Sequence, residues 1–484
     1  MAVLTPGSGL VLRPYQTAAL TQIRQAFRRH RWVLYSLPTG GGKTVLFCHA
    51  AVVAAAQGFK AAVIVHRVEL VRQVAETLAM FGVDCGLVAA GEPENLMSPV
   101  QVCLINSLYR RVRKGRYHNT FRLVVVDECH HAAAKMWHET VPAILTDKGR
   151  VLGVSATPQR TDGAGLDQFP DGVPAFETLI TGPDIAELVE TGFLCPALTF
   201  IPPVTIDASG VKLKRGDYDQ AQLARATLSQ TAITGDCIQH YQRLAQGRPM
   251  LAFCASLEHS KLVAQTFREV GIAAAHVDYG TALETRRAAV ADIAAGGPKV
   301  LCNYALFSEG LDCPGIIGVI HLRKTASFGL YRQMNGRGLR IAPGKTKALI
   351  IDHAGNAYTH GLYNEPVQWT LAGNKKKTDG DRDLAAPMRR CPECGAANRI
   401  SAASCEGCRL SFAMPRKGRI PEIVDGQLEQ VRDELTFKFR RMSYPELLHW
   451  AGGDRERLTA AALAWGYKAG WIYHRQREHA AGQY

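Results

Sequence analysis

The 484-residue sequence has no run of about twenty uninterrupted apolar residues, which excludes an ordinary helical membrane span. Its N-terminus lacks a basic start, an apolar stretch and a small-residue cleavage site, so no signal peptide is expected. No internal repeat is present, which argues against a solenoid. Acidic residues are in deficit: 43 Asp and Glu face 57 Lys and Arg, a net charge of +14. Such an excess suits a polyanionic partner, most often nucleic acid, although it also serves solubility. The excess is uneven, with eleven Lys and Arg against five Asp and Glu over residues 374–420. Of 13 cysteines, nine are scattered, among them Cys103, Cys254 and Cys302 in apolar stretches. They read as buried thiols of a reducing, hence cytoplasmic, compartment. The other four cluster between residues 391 and 408.

A chain of this length accommodates about three domains, and 47% hydrophobic content suits a globular protein. Short β-branched runs at 61–65, 100–105, 123–126 and 151–154 alternate with helical patterns. The pattern recurs at 250–254, 299–303, 318–322 and 348–351. Continuous apolar runs of this kind predict buried parallel strands, and thus two α/β blocks. The expected organisation is a first lobe over 1–195, a joint over 196–234 and a second lobe over 235–370. A Gly-, Lys- and Asp-rich linker (371–390), a cysteine module (391–420) and a helical tail (421–484) complete it.

Ser36-Leu37-Pro38-Thr39-Gly40-Gly41-Gly42-Lys43-Thr44 follows an apolar strand and precedes an apolar helix. Glycines at 40, 41 and 42 let backbone amides approach phosphate, and the helix adds its positive N-terminal end. Lys43 would reach the β- and γ-phosphates of ATP and Thr44 would place its hydroxyl on Mg²⁺. Leu37 stands where the strict pattern has glycine, and a flexible Gly-rich turn is the plain alternative. The strand 123–126 runs into Asp127-Glu128-Cys129-His130. Acids at the carboxyl edge of such a sheet face the ligand site; Asp127 would hold Mg²⁺ and Glu128 would orient and deprotonate water. A helix N-cap is the alternative. Late in the chain, Gln333-Met334-Asn335-Gly336-Arg337-Gly338-Leu339-Arg340 carries two arginines suited to a developing phosphoryl charge.

Cys391-Pro392-Glu393-Cys394 and Cys405-Glu406-Gly407-Cys408 form two CxxC knuckles, enough for a closed tetrahedral Zn²⁺ site of structural type. Two redox pairs are the competing reading. Arg389, Arg390, Arg399, Arg409, Arg416 and Lys417 flank the cysteines, so the module faces either nucleic acid or a protein partner. In the tail, Trp465, Tyr467, Trp471 and Tyr473 interleave with basic residues. They would form the core of a small helical subdomain, or stack on unpaired bases.

These motifs, in this order over about residues 10–360, resemble superfamily 2 helicases and translocases. The resemblance implies two tandem RecA-like P-loop domains with mostly parallel sheets, followed here by a zinc ribbon and a helical tail. It implies that Gln16, in Arg13-Pro14-Tyr15-Gln16, reads the adenine edge, and that Thr39 belongs to the nucleotide loop. It implies that His130, Ser155 and Thr157 couple nucleotide state to strand grip. Within Ser308-Glu309-Gly310-Leu311-Asp312, Gly310 would contact the strand and Asp312 the ribose. Gln333, Arg337 and Arg340 match the arginine-finger motif, with Arg340 foremost. Arg67, in the run 66–73 that opens a helix, becomes a phosphate contact, and Ser107 occupies a similar place after the next strand. A solvated helix face is the alternative for Arg67 and Arg72. Residues 330–346 and 351–356 are similar to RadD-type bacterial DNA repair helicases, and the chain also resembles motor subunits of type I and III restriction enzymes. The RadD-type resemblance does not extend to the tail.

The expectation is therefore an ATP hydrolase with ATP, Mg²⁺ and Zn²⁺ as cofactors. It would act as a nucleic-acid helicase or translocase in repair, recombination or replication. Asp-Glu-Cys-His, unlike Asp-Glu-Ala-Asp, tilts the expected partner toward DNA over RNA. A protein partner through the ribbon or tail, an ATP-switched scaffold and a restriction or defence motor are the alternatives. No Asp/Glu-x-Lys nuclease pattern is seen outside the motor, so a restriction role requires a separate cutting subunit.

Overall fold

The computed structural model describes residues 10–131, 135–160, 164–169, 173, 175–201, 208, 210–214, 216–228, 237–295, 297–307, 315–372, 388–412, 444–465 and 469–480. They belong to two compact units, Met1–Phe412 and Ala413–Tyr484. The first unit contains a seven-stranded sheet made from β1 (Trp32–Ser36), β2 (Ala61–Val65), β3 (Cys85–Val88), β4 (Val100–Leu104), β5 (Phe121–Asp127), β6 (Leu145–Ser155) and β7 (Thr178–Thr181). Its order is β3-β4-β2-β5-β6-β1-β7, with every pair parallel.

A second parallel sheet follows in the same unit. Its strands are β8 (Ala197–Phe200), β11 (Met250–Cys254), β12 (Ala274–Val277), β13 (Val300–Asn303), β14 (Gly318–Leu322) and β15 (Ala348–Asp352), in the order β12-β13-β11-β14-β15-β8. Between β8 and β11 the chain makes a two-stranded hairpin, β9 (Leu213–Lys214) and β10 (Asp217–Tyr218). β8 opens the segment read from sequence as a joint, yet it is an edge strand of the second sheet, paired Ala197↔Ala348.

Strands such as β2 and β11 are apolar along their whole length because both of their faces are buried in cores. In β2, Ala61, Val63 and Val65 enter one core while Ala62 and Ile64 enter the other. The same alternation divides Leu251 and Phe253 from Met250, Ala252 and Cys254 in β11. This two-sided burial fixes register, since a slip of one residue would exchange the faces of every side chain. The scattered cysteines are part of this packing: Cys48, Cys103, Cys129, Cys195, Cys237, Cys254 and Cys302 are buried and free. Burial pushes the thiols of Cys103 and Cys237 above the ordinary range, making them inert.

The cysteine module carries a hairpin, β16 (Met388–Arg390) and β17 (Ala397–Arg399). It docks on β8: Ile201 N donates to Gly395 O at 3.3 Å and Arg390 Nε donates to Ile201 O at 2.8 Å. The Sγ atoms of Cys391, Cys394, Cys405 and Cys408 all lie within 4.8 Å of one another. Cys391 and Cys408 are 3.6 Å apart, and Cys394 and Cys405 are 3.5 Å apart. Tetrahedral Zn–S bonds of about 2.3 Å require sulfurs about 3.8 Å apart, so this donor set fits zinc. Burial alone would push Cys405 up, but amides of Cys408 and Gly407 help hold its thiol down at about 7. Asn398 Nδ2 also approaches its sulfur, at 3.6 Å. Donors around a sulfur favour the thiolate that binds metal.

The second unit contains helices Tyr444–Ala451, Arg455–Trp465 and Ala469–Ala480. Its described core is aliphatic, with Leu447, Ala451, Leu458, Ala461 and Ala462 buried. Tyr473 is 60% exposed, so the sequence reading that placed it in a core is corrected: Arg477 covers its ring instead, 5.8 Å from the centroid. Tyr467 lies outside the described residues.

The cysteine geometry makes a direct prediction. Elemental analysis of the purified chain should find stoichiometric zinc, and Cys405→Ser should lose it. Chelation should also lower the thermal unfolding midpoint, because metal binding contributes to the folding of so small a module. Zinc-free protein whose unfolding ignores chelators would instead identify thiol pairs.

Candidate functional site

The carboxyl ends of three neighbouring strands meet at one edge of the first sheet. Ser36 pairs with Ser155, and Asp127 pairs with Val154, so β1, β6 and β5 stop level with one another. Ligands of parallel α/β sheets bind at this edge. After β1 the chain enters the glycine loop, where Gly40 and Gly42 have φ of 86° and 81°. An L side chain rarely adopts that left-handed region, and the glycines permit it. Helix Lys43–Ala56 starts immediately afterwards. Thr44 lies in its first turn, with the Asp127 carboxylate at the end of β5.

Lys43 Nζ donates to Leu37 O at 3.3 Å. Desolvation pulls its pKa below the ordinary lysine range; Glu128 and Asp127 oppose this, while Arg337 and Arg340 add to it. Four charged residues, two from each lobe, therefore act on one ammonium. Glu128 is buried and has φ of 47°, a left-handed conformation unusual for a residue with a side chain. The turn takes Glu128 off the alternation of β5. Strain at such a position is of order 1–3 kcal/mol and marks functional sites more often than plain turns.

A polar chain runs from Glu128 toward the second lobe. His130 Nδ1 lies 3.4 Å from Glu128 Oε2 and 3.0 Å from Ser155 Oγ. Ser155 Oγ accepts from Thr157 N at 3.1 Å. Thr157 Oγ1 accepts from Gln333 Nε2, at the long distance of 3.5 Å. Sequence reading assigned His130, Ser155, Thr157 and Gln333 roles in coupling and finger motifs; the fold makes them consecutive neighbours.

Gln333 lies on helix Phe328–Gly338, whose N-cap Ser327 Oγ accepts from Leu330 N at 3.2 Å. Gln333, Gly336 and Arg337 are spaced to share a helical face, and Arg340 follows just beyond the helix end. That face lies on the glycine loop. A Cβ added to Gly336 would be 2.5 Å from Thr39 Cβ, and Arg340 Cγ lies 3.6 Å from where a Cβ on Gly40 would be. Arg337 is buried. The late arginines thus reach the loop that holds Lys43.

Gln16, on helix Pro14–Ala26, donates through Nε2 to Gly42 O at 3.0 Å and accepts from Arg13 N at 2.8 Å. Its amide therefore braces the glycine loop here. The sequence reading overlooked two neighbours. Tyr15 OH donates to Gly41 O at 2.7 Å, and Phe193 packs edge-on to Tyr15 with centroids 5.2 Å apart. Arg13 lies 5.0 Å over the Phe193 ring. Tyr15 stood inside a motif already singled out; Phe193, far along the chain, gave no local signal.

Across the expected strand-binding surface the lobes also touch. Arg67 Nη1 donates to Leu306 O at 2.6 Å, its guanidinium lies 5.7 Å from the Tyr279 ring centroid, and Glu69 pairs with Arg286. Ser107 is buried in helix Ile105–Val112, where its carbonyl accepts from Arg111. Gly310 and Asp312 lie outside the described residues.

The residues fit ATP and Mg²⁺. The glycine loop offers backbone amides, Lys43 a cation, and Thr44 and Asp127 hard oxygen ligands. Glu128 Oε2 is buried and, beyond the 3.4 Å approach of His130 Nδ1, makes no hydrogen bond among the described residues, as suits an acceptor for water.

Residues 9–160 match the family described as Type III restriction enzyme, res subunit, and residues 233–342 match the Helicase conserved C-terminal domain. A 51.5 kDa protein of Lactococcus phage (isolate 7-9) is 32% identical over 386 residues, covering 78% of each chain. IRC3 of Saccharomyces cerevisiae, assigned as an ATP-dependent helicase, is 30% identical over 381 residues, covering 74% of this chain and 54% of that protein. The chain thus spans little more than half of the yeast relative. Among solved structures, an HsdR subunit fragment assigned to a type I restriction enzyme from Vibrio vulnificus YJ016 has a TM-score of 0.56 at 20% identity, covering 75% of this chain and 67% of that one. The ATP-dependent Type ISP restriction-modification enzyme LlaBIII, bound to DNA, has a TM-score of 0.51 at 16% identity, covering 71% and 28%. These two structures share the fold. With its tandem parallel sheets and its matched helicase domains, the chain belongs to the superfamily 2 helicases, a family of ATP-hydrolysing motors.

Proposed function

We propose that this chain is an ATP-dependent DNA helicase or translocase of the repair, recombination or replication type, with a first lobe over 1–195 and a second lobe over 235–370 to which β8 adds an edge strand. The supporting observation is the joint environment of Lys43, where charges from both lobes meet. ATP with Mg²⁺ supplies the phosphoanhydride whose hydrolysis drives the motor. Lys43 and the amides of Gly40–Gly42 bind the phosphates. Glu128 orients a water molecule and accepts its proton at Oε2. Arg337 and Arg340 bring positive charge to the phosphoryl oxygens as the lobes close. The chain His130–Ser155–Thr157–Gln333 makes the position of the second lobe sensitive to the state of Glu128.

DNA is favoured by the RadD-type resemblance, by the basic charge of the chain and by the DNA-bound state of the LlaBIII enzyme. Arg67 supplies a backbone-phosphate contact, with helix Val68–Met80 beginning immediately after it. In the absence of a strand, Arg67 is held by Leu306 O and must exchange that partner for phosphate. A second reading, the motor of a restriction assembly, rests on the res-subunit match over residues 9–160. Copurification with a separate nuclease or methyltransferase would favour it.

Lys43→Ala is expected to abolish ATPase activity. Arg340→Ala should retain ATP binding and lose about 10³-fold in turnover, the scale of a lost arginine finger. Normal turnover by that variant would overturn the two-lobe site. ATPase measured with single-stranded, duplex and forked DNA and with RNA should show greater stimulation by DNA. It should weaken as salt rises, because phosphate contacts release counterions. Equal or greater stimulation by RNA would reverse the choice of strand, and hydrolysis with none of them would favour an ATP-switched scaffold.

A further inference from the structure

The helix that brings Arg337 and Arg340 to the glycine loop begins from a short connection, residues 323–327, after β14. That connection is gripped by a residue from a different part of the chain. Asp217, in the β9–β10 hairpin between β8 and β11, is buried beside it. Its Oδ2 accepts from Arg323 Nη2 at 2.8 Å. Its Oδ1 accepts from Thr325 Oγ1 at 2.9 Å and from the amide of Ala326 at 2.7 Å. The amide of Tyr218 adds a fourth donor at 2.9 Å.

Three of these four donors belong to one five-residue connection. Thr325 Oγ1 in turn accepts from Ser327 N at 3.0 Å, and Ser327 caps the helix. The carboxylate is therefore two hydrogen bonds from the helix N-terminus. A buried carboxylate fully engaged by donors is rigid, because any movement leaves charge or an amide unpaired in a low-dielectric setting. From Ala326 to Arg337 the helix rises about 16 Å. Over that length a tilt of about 4° at the base moves the far end by about 1 Å. The clearance at the far end is small: Gly336 meets Thr39 with no room for a Cβ.

We propose that Asp217 is a positioning residue for the arginine-finger helix: by holding the 323–327 connection, it sets where Arg337 and Arg340 arrive on the phosphate loop. The proposal rests on the reading of these arginines as phosphate-facing. It gives the β9–β10 hairpin a role in turnover, although none of its residues is placed at the nucleotide.

Two variants test it in ATPase assays with saturating single-stranded DNA. Asp217→Asn keeps the shape of the side chain but removes its charge from Arg323. Thr325→Val leaves the Asp217–Arg323 pair and removes the hydroxyl link to the helix cap. Each should lower kcat by about 10- to 100-fold, the scale of a misplacement of about 1 Å, with KM for ATP changed less than about 3-fold. In an Arg340→Ala background each should cause a smaller further loss, because one of the two arginines being positioned is gone. A purely structural defect would lower turnover by the same factor in both backgrounds. Such multiplicative losses, or normal kcat in the folded variants, would overturn the proposal. If Asp217→Asn does not fold, Thr325→Val decides by the same criteria. Normal turnover by Arg340→Ala alone would instead overturn the underlying reading of the arginines.

Discussion

The approach of Gly336 to Thr39 is the contact on which the site depends. A Cβ at Gly336 would overlap the threonine side chain, so only a glycine allows the second-lobe helix to lie this close to the phosphate loop. Because it does, Arg340 passes beside Gly40 and Arg337 is buried at the same boundary. The proximity also makes Lys43 chemically unusual. Its ammonium is desolvated and sits among two carboxylates and two guanidinium groups. In such surroundings electrostatic interactions are stronger than in water, and small changes in lobe spacing carry large energetic consequences.

The interface has two further sides. Toward the acids, Glu128, His130, Ser155, Thr157 and Gln333 are linked in turn, beginning at a backbone position with unfavourable φ. Toward the expected strand surface, Arg67 meets Leu306 and Glu69 meets Arg286. Each lobe is built on a parallel sheet buried on both faces, hence stiff. Relative movement must then be absorbed mainly at these contacts, which is how a rigid-body motor transmits a local event. The long Gln333–Thr157 hydrogen bond is well suited to being made and broken.

The tandem α/β architecture was legible because buried parallel strands are continuous apolar runs, as at 61–65 and 250–254. The glycine loop and the acids after β5 were legible because phosphate chemistry demands particular residues at fixed spacing. The paired CxxC knuckles were legible for the same reason, and their sulfurs do converge. β8 was not legible, since it is a short edge strand whose pairing partner lies about 150 positions away. Phe193 and Asp217 were not legible either. Phe193 owes its place to packing against Tyr15, and Asp217 to donors from 323–326, so no local pattern marks them.

Tyr473 shows the converse error: an aromatic surrounded by basic residues read as core, but aliphatic residues suffice for the described core of that unit. The sequence by itself determined the class of chemistry, because a Gly-rich loop, a paired acid and four spaced thiols carry their function in short segments. Tertiary structure alone decided which distant residues share that chemistry. It placed Gly336 and Arg340 against Lys43's loop, held Arg67 on Leu306 and tied Asp217 to the base of the arginine helix. These are contacts between residues from tens to hundreds of positions apart, and their geometry follows from the packing of two sheets and their helices, which no short segment encodes.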